Sequence, residues 1–146
     1  MRAELAAVEA LLAPWGKQVF YIEAKETTDA SGVVTPISYP YVLLWGSPGL
    51  LRADEMDGAQ DDLNDMLGVT VAALTPDACL KAVDKVRSYL LGKQPLANGR
   101  HVQPLRLVDS QRVTADQSVT IPATNSHPYF GVDIYRIISE PAIEST

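Results

Sequence analysis

The sequence has few of the residues that most often build chemical sites. One cysteine, Cys79, and two histidines, His101 and His127, occur among 146 residues. A single cysteine excludes an internal disulfide and a metal cage made of several thiolates. The histidines are far apart in the chain and form no metal-binding spacing such as HExxH, so the sequence predicts no metal site and no bound cofactor.

Long apolar runs and an excess of basic charge are also absent. No apolar stretch approaches the roughly 18 residues of a membrane span. Residues 1–12 carry Glu4 and Glu9, unlike a secretory signal, so we expect a cytosolic protein without membrane contact. The formal net charge is −6. This charge argues against tight, non-specific DNA binding, which depends on Lys and Arg displacing counterions from phosphates.

Catalytic motifs are lacking as well. Nucleophilic catalysis needs a nucleophile, a base and an orienting group. Cys79 falls in the apolar stripe of a predicted helix, where a small buried thiol is a common core residue. The segment Gly46-Ser47-Pro48-Gly49 has neither a Walker lysine nor the Rossmann spacing and reads as a turn. We therefore expect no catalytic residues and no enzymatic activity.

The sequence does contain a pattern of two helices and about five strands. Apolar residues at helical spacing predict a first helix over residues 1–12. A second helix is predicted to begin with Thr75 as its N-terminal cap and Pro76 as its first residue, and to end at Gly92. The predicted strands are Gln18–Lys25, Tyr41–Trp45, Val69–Leu74, His101–Thr114 with a bend at Pro104, and Phe130–Ser139.

This order of elements predicts one α+β domain over residues 1–146. Its sheet would be mixed or antiparallel, with about five strands and both helices on one face. Two helices are too few to cover both faces, so the other face would be partly apolar and uncovered. Tyr21, Trp45 and Tyr135 are expected there. Because a broad exposed apolar face often marks a partner surface, we expect oligomerisation.

The chain has two conspicuous polar segments. Residues 26–36 predict a long hairpin loop between the first two strands. Residues 54–65 hold six carboxylates but lack the ligand order of a calcium-binding loop, which favours a solvated loop or short helix face. A small metal-dependent enzyme built on this acidic run is the alternative. The six are Asp54, Glu55, Asp57, Asp61, Asp62 and Asp65.

Five blocks of sequence lie in one order along nearly the whole chain. They are Tyr39–Trp45, Leu67–Val71, the helix from Thr75 to Arg87, Pro104–Gln111 and Val132–Arg136. Together with the chain length, these blocks resemble the tail terminator family of siphophages. Members of that family are minor tail or tail completion proteins that cap the tail tube. Another head–tail connector (neck) protein of the same virion is the second candidate.

The resemblance implies a structural virion protein at the head-proximal end of the tail, assembled in the host cytoplasm. Such proteins usually form a homohexameric ring that stops polymerisation of the tail tube protein and meets the head-completion (connector) protein. Double-stranded DNA would pass through the lumen without specific binding. We expect two segments to project from the core as interface or lumen loops. Their acidic residues are Glu26 and Asp29 in the first, and Asp54, Glu55, Asp57, Asp61, Asp62 and Asp65 in the second.

Overall fold

The computed structural model describes residues 1–47, 51–52 and 62–142. In this part of the chain the helices are α1 (Arg2–Leu12) and α2 (Pro76–Leu90), and a 3-10 turn at Ala13–Trp15 follows α1. The strands are β1 (Gln18–Tyr21), β2 (Thr27–Thr28), β3 (Val34–Thr35), β4 (Tyr41–Gly46), β5 (Leu51–Arg52), β6 (Asp62–Ala73), β7 (Arg100–Val102), β8 (Arg106–Ala115) and β9 (Tyr129–Pro141).

Seven of these strands form one mixed sheet, in which five are neighbours in the order β1-β4-β6-β9-β7. In addition, β5 pairs with the start of β6, and β8 pairs with β9. β1 is parallel to β4, whereas the other pairs of this sheet are antiparallel. β2 and β3 form a separate two-stranded ribbon. The predicted α+β fold, with a mixed sheet about five strands wide and helices on one face, is confirmed.

The hydrophobic core lies between the two helices and one face of the sheet. Alternate residues of β6 point toward the helices, as the period of two in a strand requires. Both α1 and α2 contribute an apolar stripe to the same cluster. Its most deeply buried members include Val8, Leu12, Val42, Leu44, Leu67, Val69, Val86, Leu90, Tyr135 and Ile137.

The second helix follows the prediction closely. The Thr75 hydroxyl oxygen accepts a hydrogen bond from the Ala78 amide at 3.1 Å and so caps the first turn. Pro76 occupies the first helical position, where no amide donor is needed. After the helix, Gly92 adopts a left-handed conformation with φ of 71°, which suits glycine. Local residue chemistry therefore sets both ends of α2.

The first connection differs from the prediction of a hairpin. Ile22 has a φ of 65°, which ends β1 at Tyr21 instead of continuing it to Lys25. Because β1 and β4 run parallel, the chain between them must return to the end of the sheet where β1 began instead of turning tightly. The polar segment within this crossover forms the β2–β3 ribbon.

Two other strands differ in their bounds. β6 begins at Asp62, seven residues earlier than the predicted start at Val69. The predicted strand over residues 101–114 is instead two strands, β7 and β8, separated at Pro104. Proline has no amide hydrogen for the ladder, so a break there is physically expected. The Leu105 amide beside it donates to the Lys93 carbonyl at 2.9 Å, outside the sheet.

Candidate assembly surface

The face of the sheet turned away from the helices is partly apolar. On β4 and β6 the residues that alternate with the core positions include Trp45 and Met66, which are 39% and 40% exposed. β9 adds Phe130 and Ile134, both half-buried, to this face. We call it the open face. Its apolar side chains are side by side on neighbouring strands and form one partly exposed apolar patch.

Trp45 is held flat against the open face. Its indole Nε1 donates a hydrogen bond to the Thr70 hydroxyl at 3.0 Å. The ring lies over Gly68, where an added Cβ atom would come within 2.1 Å of the Trp45 ring. Glycine is therefore required at position 68 for the indole to lie against the strand.

Aromatic rings extend the open face toward β1. Phe20 and Tyr41 meet edge to face with ring centroids 5.5 Å apart, and Tyr39 lies 5.3 Å from Tyr41. Burial, reinforced by the nearby Asp116 carboxylate, raises the pKa of the Tyr39 hydroxyl. Tyr41 is shifted in the same direction, by burial first and then by Tyr39 and Asp116. Both tyrosines thus stay neutral on this face at ordinary pH.

Of the three aromatic residues expected on the open face, only Trp45 lies there. Tyr135 is fully buried in the core, because its register on β9 places it opposite Leu67 on the helix-covered face. Tyr21 also lies on the helix side, and its hydroxyl donates to the Glu9 carboxylate of α1. The prediction was wrong for these two residues because it did not fix the register of either strand.

The predicted acidic residues fall into three groups. Glu26 and Asp29 lie exposed in the crossover between β1 and β4. Asp62 and Asp65 belong to β6, where Asp62 is buried and Asp65 half-buried, so their expected position on a projecting loop is wrong. The Ser47 hydroxyl donates to the Asp65 carboxylate. The remaining four, Asp54, Glu55, Asp57 and Asp61, lie outside the described residues.

We call residues 23–38 the arm. At its tip, the Asp29 carboxylate accepts hydrogen bonds from the amides of Ser31 and Val33, each at 2.9 Å. At its base, the Gln18 side chain donates to the Pro36 carbonyl at 2.9 Å and accepts from the Ser38 amide at 2.7 Å. These contacts shape both ends of the arm, while its ribbon stands apart from the large sheet.

A groove of about 340 Å³ lies on the other side of the molecule, between α2 and the edge strand β8. Leu80 and Val83 of α2 line it on one side and Val113 of β8 on the other. We call it the α2–β8 groove. Gly131 lies beneath it, where a Cβ atom would come within 3.4 Å of Val113 and 3.5 Å of Val83.

One wall of the α2–β8 groove is a charged hydrogen-bond network. Arg87 binds both carboxylate oxygens of Asp133, at 2.7 and 2.8 Å, and donates to the Ser110 hydroxyl at 2.8 Å. The hydrogen bond to Asp133 is the main reason that the pKa of Arg87 is raised, against an opposing effect of burial. The network fixes α2 to both β8 and β9.

A second polar network lies within the core. The Ser139 hydroxyl and the Arg100 guanidinium donate to the Glu4 carboxylate at 2.7 and 2.9 Å. Burial alone would raise the pKa of Glu4, but hydrogen bonds and the positive N-terminal amine outweigh it, so this pKa is lowered. The ion pair with Arg100 ties α1 to β7, and the hydrogen bond from Ser139 ties it to β9.

Sequence reasoning missed both networks, although strand parity contains a signal for one of them. Asp133 shares its face of β9 with Tyr135 and Ile137, which are core residues. A carboxylate in a buried register must be paired, because an isolated buried charge is costly. The partner Arg87 could not be identified, since it lies on a different element 46 residues away.

Over residues 1–47, 51–52 and 62–142, no three His, Cys, Asp or Glu side chains are grouped so that they could hold a metal ion. No helix in the same ranges combines the length and the apolar character needed to cross a bilayer.

Solved structures with this fold include the following two. One is a chain from a structure titled as the virion of a native gene transfer agent particle, with a TM-score of 0.60 and 14% identity over 92% of each chain. The other has a TM-score of 0.60 and 13% identity, over 99% of this chain and 97% of that one. No protein-family model and no curated protein matches the sequence. At these identities the likeness establishes the fold over nearly the whole chain.

Proposed function

We propose that this chain is a structural protein of a phage-like virion, and that it acts as the tail terminator of a siphophage-type tail. In this role it forms a ring, a homohexamer by resemblance, at the head-proximal end of the tail tube. The ring stops tube polymerisation and provides the surface that receives the head-completion protein. The protein acts by assembly and not by catalysis.

The observation that carries this proposal is the shared fold with a chain of a gene transfer agent virion, which extends over 92% of both chains. The five sequence blocks that resemble tail terminators give independent support in the same direction. Those blocks lie on β4, β6, α2, β8 and β9, which form most of the large sheet and the helix beside it. The resemblance therefore follows the folded framework and not a single loop.

The surface of the molecule is suited to assembly. The open face offers apolar and aromatic side chains to a partner, and β1 and β8 are unpaired edges of the sheet in the described chain. A head-to-tail contact between unlike surfaces closes into a ring when its rotation allows. A net charge of −6 suits a ring that surrounds DNA without binding it, because like charge repels the phosphates.

The test is tube assembly in vitro. Purified tail tube protein is polymerised with increasing amounts of this chain, and tube lengths and ends are measured by negative-stain electron microscopy. We expect shorter tubes with a ring at one end, and light scattering should give the ring a mass of six chains. The variant Trp45→Ser, which removes a large exposed side chain from the open face, should weaken capping.

The other outcomes separate the alternatives. A ring that joins a head connector but leaves tube length unchanged would contradict termination and favour another neck protein. Thermal stabilisation by Mg²⁺ or Ca²⁺, together with hydrolytic activity, would instead favour the metal-dependent enzyme built on residues 54–65. A chain that neither associates with itself nor binds tubes would contradict any role in the tail.

A further inference from the structure

We propose that the arm of one protomer occupies the α2–β8 groove of the next protomer in the ring. This inference rests on the proposed function, because it names the contact by which the ring would be built. It places the interface between the arm, at one edge of the sheet, and the α2–β8 groove, at the opposite edge. The occupant of the groove is therefore a second copy of this chain.

The arm has the properties of a segment that needs a partner. Its ribbon pairs only β2 with β3, and an isolated two-stranded ribbon is marginally stable in water. Val33 and Val34 are 59% and 50% exposed at its tip, within an otherwise polar segment. The hydrogen bonds of Asp29 preform this tip, which lowers the entropy lost when it docks.

The α2–β8 groove has matching chemistry. Leu80, Val83 and Val113 give it an apolar lining that two valine side chains can contact. Gln111 and Arg112 line the same groove and provide polar and basic groups. An apolar centre with a polar rim is the usual composition of a protein interface. The absence of a side chain at Gly131 keeps the groove open between Val83 and Val113.

Charge also favours this pairing. Residues 1–65 carry 11 acidic and 4 basic side chains, whereas residues 66–146 carry 7 and 8. Within the arm, Glu23, Glu26 and Asp29 outnumber Lys25. The groove lining carries two acidic side chains, Asp84 and Asp133, and two basic ones, Arg87 and Arg112, so its net charge is zero. Arg87 is paired with Asp133, whereas Arg112 is exposed and can meet the acidic arm without net repulsion from the groove.

The positions of the two surfaces allow repetition. The arm is fixed to Gln18 on β1, one edge of the sheet, and the groove borders β8 at the other edge. The arm of one protomer would meet the groove of the next, so the two protomers use different surfaces. Each added copy then offers a free arm or a free groove to a further copy. About eight residues separate the base of the arm from its tip, which gives a reach of at most about 28 Å.

Disulfide trapping tests the contact directly. In a Cys79→Ala background, which has no other cysteine, Val34→Cys is combined with Val113→Cys. Under mild oxidation, the assembled protein should give a ladder of disulfide-linked oligomers that ends at the closed ring. The matched control combines Val34→Cys with Val119→Cys, an exposed valine in the loop beyond β8. We expect at least tenfold less cross-linking in the control.

Charge reversal gives a second measurement that needs no disulfide geometry. Arg112→Glu should weaken self-association by about tenfold at low salt, because it places like charges at the docked arm. Lys93→Glu is the matched control. Lys93 is also an exposed basic residue, just beyond the end of α2, but it does not line the groove and does not lie on the open face. Equal effects of the two reversals would overturn the proposal.

The outcomes also separate this interface from the proposed function. Rings that cap tail tubes but show no specific disulfide between residues 34 and 113 would overturn the interface and leave tail termination intact. Disulfide-linked rings that do not shorten tubes would support the interface and contradict termination. A chain that stays monomeric at high concentration and beside tail tubes would overturn both.

Discussion

The two faces of the large sheet are built from the same strands but differ in composition. On β6, Leu67, Val69 and Val71 are directed toward the helices and are almost completely buried. Met66, Gly68 and Thr70 alternate with them on the open face. The covered face holds branched apolar side chains in close contact with α1 and α2. The open face instead combines apolar, aromatic and hydrogen-bonding groups.

This difference separates what determines the fold from what is available for partners. Removing a side chain from the covered face leaves a cavity that the packed core cannot fill, so the whole domain is destabilised. Removing one from the open face alters a surface that water already reaches. Mutations on the two faces should therefore have different effects, although the residues are adjacent in sequence.

Neighbouring residues on β6 give the largest expected difference. Leu67→Ala should lower the free energy of unfolding by about 2–5 kcal/mol, because Leu67 is fully buried and its loss creates a cavity. Met66→Ala should lower it by less than about 1 kcal/mol, because Met66 faces outward and is substantially exposed. Urea denaturation of both variants at low protein concentration measures the two values. Equal losses would contradict the distinction between the faces.

Gly68 gives the next largest effect, on the open face itself. Gly68→Ala should cost about 1–3 kcal/mol, because the new Cβ atom would displace the Trp45 ring. In a Trp45→Ala background the same substitution should cost less than about 0.5 kcal/mol, since the three atoms nearest to the added Cβ all belong to the Trp45 ring. The difference between the two costs, obtained from a double-mutant cycle, measures the contact. A cost that is unchanged by Trp45→Ala would place the strain in the backbone of β6.

The elements that could be predicted from sequence are those with local signals at their ends. α2 has a capping threonine, a proline at its first position and a glycine after its end, and the structure confirms all three. β4 and β9 are recognisable from their apolar composition and alternation. The fold class follows from the order of such elements, because two helices can cover only one face of the sheet.

Features set by long-range pairing could not be predicted in the same way. Nothing local shows that β1 runs parallel to β4, since their polar connection is equally compatible with a hairpin. β6 extends back to Asp62 because β5 and β9 pair with its first residues, which lie within the acidic run. Pairing partners distant in sequence supply the hydrogen bonds that overcome the weak strand preference of Asp and Asn.

The candidate site was only partly predictable for the same reason. Exposure of Glu26 and Asp29 follows from a polar segment rich in turn residues, whereas the burial of Asp62 depends on its place in β6. The α2–β8 groove joins residues of α2, β8 and β9, so it exists only after the sheet has formed. A surface assembled from separate elements has no local pattern that would identify it.

The smallest expected effect is a gain in stability instead of a loss. It concerns a polar group on the covered face, the hydroxyl of Tyr135. The Tyr135 hydroxyl is buried, and no residue in the described chain forms a hydrogen bond with it. Burial, with a contribution from Asp133, raises the pKa of this hydroxyl, so it stays neutral and retains its hydrogen. Leaving such a group unpaired costs about 1–3 kcal/mol.

Tyr135→Phe should therefore stabilise the protein, by about 1 kcal/mol or a rise in Tm of about 2–4 °C. Tyr21→Phe is the matched control. It removes a hydroxyl that donates to Glu9, so its Tm should be unchanged or slightly lower. Differential scanning calorimetry of the two variants gives the comparison. If Tyr135→Phe lowered Tm, the hydroxyl would have to be satisfied by bound water, and the covered face would contain a hydrated site within its apolar packing.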